Sequence, residues 1–254
     1  DIVVDAAAAP SELYAAEEFQ NHFQQATGIR LPIVNGASGA PGQVYIGVGQ
    51  AMKTSAVGFE VESLRDEDFR IIIRSPAIAI AGGQPRGTLY GVYTFLEDYL
   101  GVRFLTHDHT HVPVFEPHIV GPVDRRYHPP LKFRWSYYGE NSAHPEFATR
   151  RRVNTITSDS KLGGKTGRQL INHSFGRQIP SATYGKEHPE YYCEIDGKRR
   201  AIVDDDFRDN EPCLTDPAVL EIVTASALAE LRANPQAENI SISQNDNDKY
   251  YHCA

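Results

Sequence analysis

With 254 residues, 41% of them hydrophobic, and no tract dominated by Gly, Ser or Pro, the chain holds enough apolar material for one large core or two smaller ones, which excludes a disordered or fibrous protein. A formal charge of −8 without a clustered Lys/Arg face excludes the positive footprint that a nucleic acid or an anionic membrane surface requires. No apolar stretch approaches the roughly 20 residues that cross a bilayer, so membrane insertion is not expected.

Two domains are expected, divided at 120/121. Residues 1–120 read as a small α+β unit. Ile2 to Val4 form a short strand, and Ser11 and Glu12 then open an amphipathic helix. Leu13, Ala16, Phe19 or Gln20, Phe23 and Ala26 follow at near-helical spacing, with Gly28 past the end. LPIV and QVYIGVG have strand character. FRIIIRS and AIAIAGG, rich in β-branched residues, meet around Pro76 as a hairpin or adjacent strands. RGTLYGVYTFLEDYLG places Leu89, Val92, Tyr93, Leu96, Tyr99 and Leu100 on one broad helical face and Gly101 beyond it. The economical arrangement is one sheet covered by two helices.

THDHTHVPVFEPHIVGPVDRRYHPP, residues 106–130, carries five prolines and no sustained period, so it reads as a linker or a wrapped connection. Beyond it, strand and helix patterns alternate. KFRWSYY is a strand and HPEFATRRR a helical piece whose Arg150, Arg151 and Arg152 read as a solvated end. VNTITSD and GRQLINHSF are strands; TDPAVLEIVTASALAELRANP is a helix capped by Asp216 with Pro217 in its first turn; ENISISQND is a fourth strand. This alternation argues for parallel pairing, as a (β/α) barrel or a doubly wound sheet. Four strands make half of an eight-stranded barrel, which takes about 250 residues by itself, so 121–254 reads either as the first half of a barrel continued beyond Ala254 or as a smaller sheet.

Three cysteines, Cys193, Cys213 and Cys253, are too few for a disulfide scaffold and leave the compartment open. The sequons at Asn172 and Asn239 read as lying in or beside buried strands, which disfavours eukaryotic secretion. His107, His109 and His111 alternate as metal ligands sometimes do, but no further ligand is spaced nearby. NDNDK lacks the glycine and glutamate of a calcium loop, and GVGQ is too short for a dinucleotide loop. No metal and no cofactor are therefore expected.

The stretches SELYAAEEFQNHFQQATGIRLPIV, FRIIIRSPAIAIAGGQPRGTLYGVYTFLEDYLGVRFL, HPEYYCEIDGKRR and ISISQNDND resemble the bacterial proteins grouped as domain of unknown function 4838. That group overlaps glycoside hydrolase family 163, the endo-β-N-acetylglucosaminidases. The N-terminal unit is similar to the non-catalytic α+β domain that precedes the barrel in family 20 hexosaminidases and family 67 α-glucuronidases. The resemblance implies a bacterial glycosidase, secreted, periplasmic or at the cell surface, with a glycan substrate and a catalytic barrel that begins near Phe133.

Active sites of such barrels lie at the C-terminal ends of the strands. On the first strand these are Arg134, Trp135, Tyr137 and Tyr138. Arg134 resembles the arginine with which family 20 enzymes hold sugar hydroxyls; the alternative is an arginine paired structurally. Trp135 suits either a sugar face or the core. Asn154 ends the second strand as a sugar contact or a turn cap. His173 ends the third and is expected to contact substrate or orient a carboxylate. Glu190, in HPEYY, overhangs as a loop carboxylate or belongs to a hydrophobic clasp. Asn245 and Asp246 end the fourth, where family 20 enzymes place Asp-Glu, and are the expected catalytic pair. Asp246 would serve either as the acid or as the residue that polarises the substrate's acetamide, and in the second case the acid would lie beyond Ala254. A carbohydrate-binding protein that kept the scaffold without the acid is the alternative.

Overall fold

Phe69 to Arg74, FRIIIR, shows how the core is organised: Ile71 and Ile73 enter one apolar cluster and Ile72 enters another, on the opposite face of a sheet. The structure, a computed structural model, describes residues 1–36, 40–116, 121–167, 173–195, 197–199, 211–237 and 239–246. It is mixed α/β and separates into two units, Asp1–Thr166 and Gly167–Ala254.

The first unit is built on six strands: β1 (Ile2–Val4), β2 (Ile33–Asn35), β3 (Gln43–Ile46), β4 (Phe69–Arg74), β5 (Ala77–Gly82) and β8 (Val123–Tyr127). Their order is β2-β1-β3-β5-β4-β8. The first four run parallel, and β4 is antiparallel to both of its neighbours. Ser75–Pro76 makes the two-residue hairpin turn, with a cis peptide bond. Two short strands, β6 (Arg103–Phe104) and β7 (Thr110–His111), form a separate hairpin.

Helix α1 (Pro10–Thr27) ends at Gly28, whose φ of +75° needs glycine and whose N–H donates to Gln24 O at 2.8 Å. Its buried face is centred on Ala15, Ala16 and Phe19, so Leu13, expected to point inward, is exposed. Helix α2 (Gln50–Lys53) is one turn on the other face of the sheet, where Met52 meets Val57 and Phe59. Helix α3 (Gly87–Tyr99) is buried almost all round, and the RGTLYGVYTFLE motif explains how. A Cβ at Gly87 would stand 2.2 Å from Asp68 O, and one at Gly91 2.9 Å from Ile80 Cγ2. Glycine there lets the helix backbone lie directly on β4 and β5.

The proline-rich segment itself supplies a strand of the sheet. Strand β8 pairs with β4 from Phe69↔Tyr127 to Ile73↔Val123, and Arg70 grips Asp124 through two hydrogen bonds of 2.7 Å. Phe115 N–H reaches back to Ala26 O at 2.9 Å. The division expected at 120/121 therefore falls inside the first unit, because the segment there supplies the sheet's edge strand.

Of the three arginines at 150–152, Arg151 is exposed but Arg150 and Arg152 are partly buried, so the run is more than a solvated end. They close α5 (Pro145–Arg150), which follows α4 (Gly139–Ala143). Arg150 makes two hydrogen bonds to Glu18, Arg151 donates to Phe104 O at 3.4 Å, and Arg152 binds Glu97 at 2.7 Å and Thr94 at 3.1 Å. Each finds an acceptor on an element far away in sequence, which a local charge pattern does not reveal.

Residues 132–138 and 153–159, expected as strands, lie side by side without a regular ladder. Asn154 N–H donates to Arg134 O at 3.3 Å, but Arg134 N–H is taken by the Asn154 side chain at 3.0 Å rather than by a carbonyl. A side-chain amide in the ladder's place ends regular pairing.

In the second unit α6 (Phe175–Gln178), α7 (Ser181–Tyr184) and α8 (Pro217–Ala233) surround a small core of Phe175, Ile179, Tyr192, Val219 and Val223. Asp216 caps α8 by accepting from Ala218 N–H at 2.8 Å, with Pro217 following as the sequence indicates. Strands β9 (Glu194–Ile195) and β10 (Lys198–Arg199) form a short hairpin. Tyr192 of HPEYY is buried and donates its hydroxyl to Ile179 O at 3.1 Å, so that motif is a core clasp. Of the last two expected strands, 168–172 lie outside the described residues. In 239–246 the chain is extended beside Ser174, with Ser174 and Phe175 N–H both donating to Ser243 O. Asn239 is exposed, so burial is no argument against a glycan there; Asn172 lies outside the described residues.

Candidate functional site

Arg134 belongs to the first unit, where it joins a buried polar cluster around Glu67, a carboxylate only 6% exposed. Glu67 accepts from Arg86 Nε at 2.8 Å and Asn154 Nδ2 at 2.7 Å on one oxygen, and from Arg134 Nη2 on the other. Arg134 also donates to the carbonyls of Arg152 and Leu131, and Asn154 to that of Lys132. Arg86 reaches Gly163 O at 3.2 Å and Thr166 Oγ1 at 3.1 Å. Arg134 and Asn154 are thus held as parts of a brace that ties 131–166 to the sheet. A buried carboxylate is tolerated because its lone pairs are matched by charged or amide donors.

Past that brace the chain turns outward. Trp135 is 38% exposed and stacks on Tyr137 at 4.6 Å between ring centroids, with Phe133 edge-on to the indole. Tyr137 and Tyr138 are about four-fifths exposed. Trp135 is not a core residue, and an open aromatic ladder of this kind can stack on the C–H face of a sugar.

His173, Asn245 and Asp246 are brought together in the second unit. Asn245 is buried; its Oδ1 accepts from Gly176 N–H at 3.2 Å, and its own N–H donates to Glu211 Oε1 at 2.8 Å. Asp246, the next residue, is exposed. His173 Nδ1 lies 2.8 Å from Gln244 O, and since a carbonyl only accepts, that nitrogen carries a proton. The neutral ring then presents a lone pair on Nε2, which stands 4.0 Å from Asp246 Oδ2. Imidazole and carboxylate therefore share one polar edge, held by the segment through Asp246 and by the residues that open α6.

Glu211 was not singled out by the sequence reading. It precedes Pro212 in a segment without periodicity, and only the folded chain shows its side chain bonded to the Asn245 backbone while its carbonyl accepts from Cys193 N–H at 3.0 Å. Cys193 and Cys213 are buried thiols on this same clasp, and Cys253 lies outside the described residues. Glu190 is spent on His188 at 2.9 Å; that side-chain bond, and next one from its own backbone N–H, hold its carboxyl below the usual range. Of the alternating histidines, His107 bonds Glu140 at 3.1 Å and stacks on His144 at 3.7 Å, so the three imidazoles do not converge.

Residues 1–98 match glycosyl hydrolase family 20, domain 2, and residues 104–254 match the family described as Domain of unknown function (DUF4838). No curated protein matches the chain. Among solved structures it is similar to a family GH115 4-O-methyl-α-glucuronidase, BtGH115A, described as having specificity for decorated arabinogalactans, at 12% identity and a TM-score of 0.47. The similarity covers 73% of this chain and 32% of that one, so the chain spans about a third of that enzyme's length. By the first match, residues 1–98 are similar to a domain of glycoside hydrolases. Because the second takes in more than half of its residues, the chain belongs to the DUF4838 family.

Proposed function

We propose that this chain is part of a glycoside hydrolase acting on N-acetylhexosamine-containing glycans, akin to the endo-β-N-acetylglucosaminidases of family 163. The observation that carries this is the Asn245–Asp246 pair facing His173, with Glu211 bonded to the pair's backbone. In this reading Asp246 orients or polarises the acetamide of the substrate, or protonates the leaving oxygen; Asn245 sets its position, and His173 contacts substrate or orients the carboxylate. Trp135 and Tyr137 offer faces for sugar rings, and Arg134 contributes through the brace beneath them. The first half of a (β/α) barrel would carry these groups, in a protein secreted, periplasmic or displayed on a bacterial surface. No helix among the described residues is long and apolar enough to cross a membrane.

The experiment is release of reducing-end sugar from an N-acetylglucosamine-containing glycan by the whole protein and its Asp246→Asn variant. The substitution is nearly isosteric, so the fold should survive while turnover falls by on the order of a hundredfold with little change in KM. Unchanged turnover in a folded variant removes Asp246 from the mechanism. Glycan binding without any turnover in the wild type favours the alternative, a carbohydrate-binding protein on the same scaffold.

A further inference from the structure

We propose that the first unit carries a ligand site of its own, in a cavity beside α3 and the β4–β8 edge of the sheet, and that it takes a neutral pyranose. The cavity measures about 380 Å³, within the usual size of small-molecule sites. Every residue that lines it belongs to the first unit, so it is separate from the His173–Asp246 edge.

One wall is apolar and flat. Tyr127 stacks on Phe69 with centroids 5.0 Å apart and remains 41% exposed, and Pro129 and Pro130 extend the surface. Such a wall suits the C–H face of a sugar ring.

The polar groups are charged one by one but matched in pairs. Arg125 binds Asp98, Arg152 binds Glu97 at 2.7 Å, and Arg134 binds Glu67. Each charged side chain that lines the cavity is therefore in an ion pair, with Glu67 shared between Arg134 and Arg86, so none stands free to select an anion or a cation. Each paired guanidinium and carboxylate nevertheless keeps donors or lone pairs beyond those its partner uses, and vicinal hydroxyls can satisfy both kinds at once.

The independent sign of a ligand is Tyr90. It lines the cavity, is 3% exposed, and its hydroxyl has no hydrogen-bond partner among the described residues. Native proteins seldom leave a buried hydroxyl unpaired, because it has lost its water and gained nothing. Burial, and next the nearby Glu67, push this phenol up to about 12; the Arg134 guanidinium beside it can only donate, so the phenol's own proton lacks an acceptor. A sugar oxygen would supply that acceptor.

The test is titration of the chain with methyl β-D-glucopyranoside and N-acetylglucosamine, followed by ligand-observed NMR, with glucuronate and glucosamine as charged counterparts at equal ionic strength. Saturable binding of at least one neutral sugar is expected, weakened about tenfold by Tyr127→Ala. Tyr90→Phe should weaken it several-fold with a melting temperature no lower than wild type, since no internal hydrogen bond is lost; this variant decides the matter should Tyr127→Ala unfold. The hydrolytic reading is tested by turnover of a glycan and this one by binding of monosaccharides, so failure of one is distinguishable from failure of the other. Absence of saturable neutral-sugar binding, binding that ignores both variants, or preference for either charged sugar overturns the proposal.

Discussion

Glu18 and Arg150, 132 positions apart in sequence, are joined by two hydrogen bonds of 2.9 and 3.0 Å that fasten α5 to α1. Both side chains are largely buried, at 6% and 19% exposure, so the pair is shielded from the screening that weakens surface bridges.

Breaking that pair from one side strands a charge. Glu18→Gln or Arg150→Met should each cost about 3 kcal/mol of unfolding free energy, while the double variant Glu18→Gln/Arg150→Met should cost less than the sum of the two. Urea unfolding of the four proteins measures the coupling; strict additivity would show that the two groups do not interact.

Asn154 is the second fastening. Asn154→Ala removes donors to Glu67 and Lys132 and an acceptor for Arg134 N–H, at a cost of roughly 3 kcal/mol from buried groups left unpaired. Arg134→Lys keeps the charge but loses the fork that reaches two carbonyls and Glu67 together, and should destabilise by about 1–3 kcal/mol. An Arg134→Lys protein of wild-type stability with impaired glycan binding would instead make Arg134 a substrate contact.

Alkaline pH should loosen the first unit. Burial raises the phenols of Tyr14 and Tyr90 from 10.0 to about 12, and that of buried Tyr93 also rises. Below pH 10 these phenols are neutral in both folded and unfolded chains, and their contribution is fully present. Between pH 10 and 12 the unfolded chain ionises while the folded one does not, so stability falls, on the order of 2 kcal/mol each for Tyr14 and Tyr90, and Tyr93 acts in the same direction. Urea midpoints at pH 8.5, 10 and 11.5 report this, and Tyr14→Phe should flatten the fall; a level profile would contradict it.

Asp216→Ala should shift the melting temperature of the second unit down by an amount matching about 1 kcal/mol, the usual value of a side-chain N-cap. Gly at the same position should recover most of the loss, since it tolerates the cap backbone; equal losses for Ala and Gly would point to some other role for the carboxylate.

Asn245→Ala opens the bond to Gly176 N–H at the start of α6 and frees the neighbouring Asp246. Turnover and substrate affinity should then fall together, unlike the effect of Asp246→Asn. An Asn245→Ala protein with normal kinetics would confine that amide to packing.

The amino-acid sequence alone determined what depends on near neighbours. The strand character of FRIIIR, the glycine after α1 and the Asp-Pro opening of α8 are all local, and each is found in the structure. Tertiary structure decided what depends on a partner far along the chain. Three consecutive arginines look solvated until Glu18, Glu97 and Phe104 O arrive to meet them, and Arg134 looks available until Glu67 takes it. Strand character at 132–138 and 153–159 likewise gave way because the Asn154 side chain bonds where a ladder carbonyl would. Glu211 carried no signal, since a carboxylate beside a proline acquires a role only when folding sets it against Asn245 N–H. Periodicity encodes which face is apolar; a hydrogen bond between groups a hundred residues apart is written in no segment and exists only once the core has brought them together.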